Sequence, residues 1–110
     1  MNIINLGPVD YYEAYKKQLR TVEDVYAGAK DQLIICSHPS VVTLGKKSTP
    51  QDLQGWSGDV YEIERGGQAT YHGPEQIIIY PVINLKHYQQ NIAGFLQSLE
   101  QAMIKSLAEF

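Results

Sequence analysis

Five short runs of apolar and β-branched residues constrain the fold of this chain more than any other feature of its sequence. Each run is five to ten residues long, which suits a strand and is short for a buried helix. Pro81 lies inside the last run and predicts an edge position or a bulge, because proline cannot donate to a central ladder. The runs are NIINLG (2–7), QLIICSH (32–38), VVTLG (41–45), VYEIE (60–64) and QIIIYPVINL (76–85).

A segment with helical periodicity separates the first two runs. Asp10 belongs to a residue type favoured at N-caps, and the helix is predicted to run from about Tyr11 to Tyr26 with Gly28 as its stop. The apolar stripe predicted for this helix consists of Ala14, Leu19, Val22 and Val25. Strands and helices alternate loosely along the chain, which predicts one domain of the α/β (α+β) class.

From Asn91 the apolar pattern changes to a period of 3.6 residues and predicts a terminal helix. The sequence alone leaves open whether this helix closes the domain or receives another segment on its apolar face. The stripe consists of Ile92, Phe95, Leu96, Leu99, Met103 and Leu107, flanked by Ala102 and Ile104.

Composition excludes several classes of function. The chain has 110 residues, the length of one small domain, and 44% hydrophobic residues, which is enough for a core. Its net charge of −3 and the lack of a basic run argue against nucleic acid as a partner. A single cysteine, Cys36, excludes an internal disulfide and suits a reducing compartment. No signal peptide or membrane-length apolar run is visible, so we predict a cytoplasmic location and no membrane contact.

The stretch RGGQATYHGPEQ (65–76) contains a combination of residues that neither burial in a core nor exposure to solvent explains. Arg65 carries a rigid fork of donors suited to a carboxylate, a phosphate or backbone carbonyls. Gly66 and Gly67 allow positive φ and a close approach of a ligand to the backbone. Ala69 leaves room for an apolar ligand, and His72 adds a titratable group. The rival interpretation of the same residues is a glycine hairpin with an incidental histidine.

This stretch resembles the signature of the octanoyltransferases of lipoate biosynthesis (lipoate biosynthesis protein B). That signature runs Arg-Gly-Gly, x, small, Thr, aromatic, His-Gly-Pro-Gly-Gln. A second element, SHPSVVTLG (37–45), resembles the Glu-His-Pro-x-Val-x-Thr-x-Gly pattern of the same family. The resemblance extends along the whole chain, through the strand IIIYPVINL to the ending LAEF.

The resemblance implies a biotin/lipoate ligase-like fold, with helices packed on a mixed sheet, and a substrate-binding role for the first motif. It makes residues 1–110 the N-terminal part of a single catalytic domain that is truncated relative to family members of about twice its length. His38 and Gly73 are expected to support the pocket; for His38 a purely hydrogen-bonded structural role is the alternative. The implied substrate-binding residues are Arg65, Gly66, Gly67, Gln68, Ala69, Thr70, Tyr71 and His72.

The resemblance also implies the reaction and its partners. Octanoate arrives as a thioester on acyl carrier protein and leaves as an amide on a lysine of a lipoyl domain, in 2-oxoacid dehydrogenases or the glycine cleavage H protein. The family uses a cysteine and a lysine that lie in the second half of its members. This chain is therefore expected to hold no catalytic residue, no cofactor and no metal, and to be inactive without a complementary C-terminal half.

Two further histidine and cysteine positions admit simple interpretations. Cys36 and His38 lie two residues apart on one side of a strand, but the apolar run around Cys36 predicts a buried, inert thiol rather than a nucleophile. His87 lies in a polar segment and is predicted to face solvent.

Ser37 and Glu75 depart from the family patterns, which have an acidic residue and a glycine there. Glu75 would be strained if that glycine needs positive φ.

Three functions compete on the sequence alone. The chain is half of a split octanoyltransferase, a non-catalytic remnant that holds an acyl group or a carrier domain, or a ligase-like module that uses ATP. The lack of a phosphate loop argues only weakly against the third, and formation of an acyl-adenylate would distinguish it from the others.

Overall fold

The computed structural model describes residues 1–88 and 91–110. Two short 3₁₀ helices, Pro50–Leu53 and Leu85–Tyr88, interrupt the connecting segments. The longer elements are β1 (Asn2–Pro8), α1 (Tyr11–Tyr26), β2 (Gln32–Ser37), β3 (Val41–Leu44), β4 (Asp59–Glu62), β5 (Thr70–His72), β6 (Ile78–Val82) and α2 (Ile92–Leu107).

The first sheet has the order β1-β2-β6. The β1 and β2 strands are parallel and are joined through α1, because a parallel pair needs a long crossover connection. The β6 strand runs antiparallel to β2 and forms the edge of the sheet, with Pro81 opposite Leu33. The edge position predicted from Pro81 is confirmed.

The second sheet has the order β4-β3-β5, with β4 parallel and β5 antiparallel to the central strand. The strands on either side of Gly66 and Gly67 therefore pair with β3 and not with each other, so the glycine-hairpin interpretation is wrong. The β5 strand consists of Thr70–His72, residues that the sequence placed in a turn-forming motif ahead of a strand. Each sheet contains one parallel and one antiparallel pair, so the predicted mixed α/β architecture is confirmed.

Helix α1 begins and ends where the sequence predicted. The Asp10 carboxylate accepts the backbone N–H of Tyr12 at 3.1 Å, and Gly28 follows the helix with a φ of 111°. The buried face differs from the predicted stripe, because Leu19 and Val22 are about half exposed. The residues that α1 buries are Tyr11, Ala14, Thr21 and Val25.

Thr21 is buried on this face, where an apolar residue is expected, because its hydroxyl makes a hydrogen bond within the helix. It donates to the Lys17 carbonyl at 2.7 Å, which removes the cost of burying a polar group. Below α1 the core is small and centres on Val25, Ile34 and Val82.

Helix α2 forms as predicted, with the Asn91 side chain accepting the Gly94 N–H at 2.7 Å as its N-cap. None of its residues is buried. The apolar stripe lies largely in solvent, with more than half of each of Ile92, Leu96, Met103, Ile104 and Leu107 exposed. Within residues 1–88 and 91–110, neither helix is long and apolar enough to cross a membrane.

The structure answers whether Glu75 is strained. Among the described residues Gln54 is the only non-glycine residue with positive φ, so Glu75 carries no left-handed strain. The Gln76 N–H donates to the Gly73 carbonyl at 3.0 Å and closes a β-turn. Glu75 is the third residue of this turn, and its φ is not positive, whereas the third residue of a type II turn would require a positive φ.

His87 is more than half exposed, as predicted, but it is also bonded to the protein. Its Nδ1 lies 3.2 Å from the Oδ2 atom of Asp31, a carboxylate that is only 6% exposed. The Asp31 Oδ1 atom accepts the Asn84 N–H at 2.9 Å. The polar segment after β6 is thus fastened to the start of β2.

Candidate functional site

A cavity of about 510 Å³ lies between α1, residues 63–72 and β6. Helix α1 contributes Tyr11, Tyr15 and Gln18, which share one side of the helix because they are four and three residues apart. Tyr80 of β6 also lines the cavity. The exposed lining is mostly apolar, so the cavity suits an apolar ligand.

The first motif supplies the opposite wall through Arg65, Thr70 and His72. Thr70 and His72 point to the same side of β5 because side chains alternate along a strand. Tyr71 points to the other side, where its ring lies 5.7 Å from the ring of Trp56. The remaining predicted binding residues do not line this cavity: Gly66, Gly67, Gln68, Ala69 and Tyr71.

Arg65 turns its guanidinium toward the protein. Nη1 donates to the Gly66 carbonyl at 2.9 Å. Nη2 lies within hydrogen-bond distance of the Thr43 carbonyl (3.1 Å), the Thr43 hydroxyl (3.0 Å) and the Thr70 hydroxyl (3.0 Å). These bonds tie the start of the motif to β3 and β5, so Arg65 shapes the cavity wall that it lines.

The second motif packs directly against the first. The Lys46 and Lys47 amides donate to the carbonyls of Arg65 and Gly67 at 3.0 and 2.9 Å. An added Cβ on Gly45 would lie 2.5 Å from the Gly67 carbonyl oxygen and 2.6 Å from Arg65 Nη1. Glycine at this position is therefore what allows the two motifs to approach.

His38 lies behind the cavity and is only 1% exposed. Its Nδ1 is 2.8 Å from the Val9 carbonyl oxygen, which can only accept, so Nδ1 carries a proton. In the neutral ring Nε2 is then an acceptor, and the Tyr80 hydroxyl at 2.9 Å donates to it. His38 thus orients Tyr80 from outside the cavity, and both of its nitrogens are satisfied.

An aromatic cluster surrounds one end of the cavity. The ring of Tyr11 stacks on His72 at 5.8 Å and on Tyr61 at 5.6 Å, and meets the edge of His38 at 5.2 Å. Burial lowers the pKa of His72, and the neighbouring His38 lowers it further. Burial raises the pKa of Tyr11 and of Tyr80. At neutral pH these side chains are uncharged, as an apolar ligand requires.

Cys36 is 4% exposed, and burial raises the pKa of its thiol. Its sulfur lies 3.8 Å from His38 Nε2, but that nitrogen already accepts from Tyr80. A thiol with a raised pKa provides little thiolate at neutral pH. The predicted burial of Cys36 is confirmed.

A second cavity of about 780 Å³ adjoins the first. Tyr15, Ile63 and Glu64 line both cavities. The remaining wall of the second cavity comes from β3, the end of β4 and the loop of residues 45–53.

Sequence reasoning missed the α1 and β6 contributions to the site. Tyr11, Tyr15 and Gln18 follow a helical spacing, but the predicted stripe of α1 contains only aliphatic residues. For Tyr80 the sequence predicts a place in a strand and no role in a site. The aromatic residues at i and i+4 were the signal that could have identified this face.

Comparison with known proteins agrees with the motifs. The model of the lipoyl protein ligase A/B catalytic domain family matches residues 10–110. The octanoyltransferase of Bdellovibrio bacteriovorus is 39% identical over 110 residues, covering 94% of this chain and 50% of that protein. For the octanoyltransferase of Bartonella bacilliformis the identity is 41% over 109 residues, covering 97% of this chain and 45% of the relative.

The probable octanoyltransferase of Pyrobaculum calidifontis is 38% identical over 107 residues, with 97% of this chain and 46% of the relative covered. The chain spans about half the length of these relatives. Its mixed α/β architecture and its two motifs agree with the match across residues 10–110. The chain belongs to the lipoyl protein ligase A/B catalytic domain family.

Proposed function

We propose that this chain forms the acyl-binding part of an octanoyltransferase of lipoate biosynthesis. The enzyme would move octanoate from its thioester on acyl carrier protein to a lysine of a lipoyl domain, such as those of 2-oxoacid dehydrogenases or the glycine cleavage H protein. The observation that carries the proposal is the mostly apolar cavity between α1 and β5, lined by Arg65, Thr70 and His72 of the motif. A cytoplasmic location remains part of this proposal.

The residues of this chain would bind and orient the acyl group. Tyr11, Tyr15 and Tyr80 supply apolar ring surface on one side, and Thr70 and His72 supply the other. An acyl chain held there would present its thioester end in a fixed geometry to a reacting group.

The other motif residues would act by shaping this wall. Gly66, Gly67, Gln68 and Ala69 form the turn that carries the chain from Arg65 into β5. Gly73 is buried directly after β5, and an added Cβ there would displace the Tyr71 hydroxyl and the Glu75 carboxylate.

Catalysis would need a nucleophile from outside this chain. Cys36 is its single cysteine, and burial raises the pKa of that thiol. We therefore propose that a region corresponding to the second half of the relatives, on the same or on a separate polypeptide, supplies the reactive cysteine and its activating lysine. The rival function is a non-catalytic module that holds an acyl group or a carrier domain, and the same burial of Cys36 favours it.

Octanoate binding tests the proposal directly. Titration calorimetry with octanoic acid should show binding to the wild-type chain. Tyr15→Trp adds bulk at the junction of the two cavities and should weaken binding about tenfold, since overpacking a filled site typically costs about 1–3 kcal/mol. Tyr12→Trp is the matched control on the same helix, because Tyr12 is half exposed and does not line the cavity.

Absence of octanoate binding, or equal effects of the two tryptophan variants, would contradict an acyl site in this cavity. Addition of a complementary half then separates the two functions. Octanoyl transfer to a lipoyl domain identifies a split enzyme, whereas binding without transfer identifies the holding module.

A further inference from the structure

A groove of about 690 Å³ lies beside the C-terminal half of α1 and shares no lining residue with the cavity between α1 and β5. Val22 is half exposed and Tyr26 is 91% exposed, so apolar side chains of α1 face water here. Leu19, one turn earlier on the same side of the helix, is also half exposed. We call this surface the α1 groove; its lining consists of Val22, Val25, Tyr26, Ile83, Asn84, Leu85 and Lys86.

The stripe of α2 is a face of the same kind and length. Leu19, Val22 and Tyr26 of α1 are three and four residues apart, which is the spacing of one side of a helix. The apolar residues of the α2 stripe recur at the same intervals, and both helices have 16 residues. Helices pack by setting such rows of side chains into each other's grooves. One of these apolar faces can therefore cover the other.

The chain also exposes more surface than a compact monomer of its length. Its accessible surface is 7953 Å², whereas a compact monomer of 110 residues exposes about 6,100 Å². Its radius of gyration is 15.3 Å, against about 13 Å for a compact domain. The excess of about 1,800 Å² lies within the roughly 1,000–2,500 Å² that each subunit buries in an obligate dimer. The exposed area thus suits a second copy of the chain.

The edges of the two faces carry opposite charges. Lys86 lines the α1 groove, and Glu100 flanks the α2 stripe, four residues after Leu96 and three before Met103. Neither Lys86 nor Glu100 forms an ion pair within residues 1–88 and 91–110. A second copy that lays its α2 along the groove can bring the two side chains together at the edge of the contact.

We infer that two copies of this chain form a dimer in which α2 of each copy packs on the α1 groove of the other. A twofold axis covers both grooves and both stripes at once, because each copy in an isologous interface gives the contact that it receives. The centre of each contact is apolar, and Lys86 and Glu100 face each other at its edge. The dimer surface is separate from the octanoate cavity, so the two can be tested independently.

Two double variants test the dimer by sedimentation equilibrium of the full chain. The groove variant is Val22→Lys, Tyr26→Lys, and the stripe variant is Leu96→Glu, Met103→Glu; all four side chains are exposed, so both variants should fold. Wild type should reach the mass of a dimer, and each variant alone should dimerise about a hundredfold more weakly.

Two matched controls change the same charge elsewhere on each helix. Glu13→Gln, Asp24→Asn makes the opposite side of α1 more positive by two units, as the groove variant does for its own side. Gln97→Glu, Gln101→Glu adds two negative charges to exposed positions of α2. Both controls should dimerise as tightly as wild type.

A mixture of the groove variant and the stripe variant is the decisive measurement. The stripe variant keeps an intact groove and the groove variant keeps an intact α2, so a mixed pair retains one complete contact. In its other contact the new lysines face the new glutamates, which attract each other. The mixed pair should therefore form at least about tenfold more tightly than either variant dimerises alone.

The alternative arrangements give different results. If α2 packs on α1 of its own chain, or only a different protein covers these faces, the wild-type chain stays a monomer at all concentrations and the inference is wrong. If α2 packs on α2 of the second copy, the groove variant dimerises like wild type, which also overturns it. Growth beyond a dimer without a limiting mass, or a mixture no tighter than the separate variants, would contradict the reciprocal contact.

Discussion

At the scale of single residues, the glycines of the two motifs have different physical roles. Gly45 sits where an added Cβ would lie 2.5 Å from the Gly67 carbonyl oxygen and 2.7 Å from that of Gly66. Gly67 has open space around most of its backbone but a φ of 83°. Gly66 has neither constraint, since nothing lies within 4 Å of an added Cβ and its φ is not positive. Glycine is thus required for steric reasons at position 45 and for its backbone conformation at position 67, whereas position 66 has neither requirement.

Alanine at each glycine should therefore have a graded effect on stability. We expect Gly45→Ala to lower the free energy of unfolding by about 3 kcal/mol, because backbone atoms must move apart. Gly67→Ala should cost about 1–2 kcal/mol through left-handed strain. Gly66→Ala should stay within about 0.5 kcal/mol of wild type. Urea denaturation measures all three, and equal losses would show that the motifs do not pack as described.

His72 should make stability depend on pH. Burial and the nearby His38 lower its pKa below the ordinary value of about 6.5. Between the lowered native pKa and 6.5 the unfolded chain binds a proton that the native chain refuses, so stability falls on acidification through this range, by at most about 1.4 kcal/mol per pH unit. His72→Gln should remove this contribution. Urea denaturation at pH 7.5 and 5.5 measures the loss, and an unchanged difference between the two pH values would contradict it.

At the scale of elements, Asp31 connects the start of β2 to the segment that follows β6. It accepts the Asn84 N–H at 2.9 Å and contacts His87 Nδ1 at 3.2 Å. Burial raises the pKa of this carboxyl, but hydrogen bonds from Asn84, His87 and Tyr88 outweigh burial and hold the pKa below its usual range. One carboxylate thereby fastens the 3₁₀ helix Leu85–Tyr88 to the first sheet.

Replacement of this carboxylate should loosen the segment in a pH-dependent way. Asp31→Asn should cost about 1–3 kcal/mol at pH 7, since hydrogen bonds to a charged group are lost. The native pKa is lowered, so the stabilisation is complete above the ordinary pKa of about 3.9 and disappears as pH falls through the native value. The difference from wild type should therefore shrink at pH 3. Asp24→Asn, at an exposed position of α1, is the control, and a pH-independent deficit would refute the account.

At the scale of the whole molecule, the distribution of apolar surface is uneven. The first sheet buries β2 beneath α1, where Ala14 and Ile34 are fully buried. Helix α2 buries none of its residues although its apolar stripe is continuous. Large exposed apolar patches commonly mark interaction sites or aggregation hazards. The chain spans about half the length of the relatives it matches.

The isolated chain should self-associate through this stripe. Sedimentation velocity over a range of concentrations should show species larger than a monomer, because the α2 stripe is exposed to water. The double variant Leu96→Lys, Met103→Lys should shift the distribution toward monomer. Gln97→Lys, Gln101→Lys adds the same charge elsewhere on α2 and is the matched control. A monomeric wild-type chain at all concentrations would contradict the prediction.

The isolated chain should also fail to transfer octanoate. Incubation with octanoyl-acyl carrier protein and a lipoyl domain should leave the mass of the lipoyl domain unchanged, because the one thiol of the chain, Cys36, is buried with a raised pKa. Cys36→Ser should behave identically. Octanoylation that disappears in Cys36→Ser would instead make Cys36 the nucleophile.

Much of the fold was predictable because its signals are local. The Asp10 N-cap, the Gly28 stop and the extent of α1 depend on neighbours within a few residues, and all three were confirmed. The edge position of β6 followed from a missing N–H at Pro81. The buried face of α1 was wrong in part, because Thr21 satisfies its hydroxyl on Lys17 and so can be buried without a distant partner.

The sequence by itself therefore determined the elements, the mixed α/β class and the family, since capping, periodicity and motif residues act over short distances. Only the tertiary structure decided what the motif does in space. It directs the Arg65 guanidinium to Thr43 and Thr70, and it places Tyr80 between His38 and the cavity. These contacts join residues 5 to 42 positions apart in the chain. Their geometry depends on how two sheets and α1 pack together, which no local pattern of residues encodes.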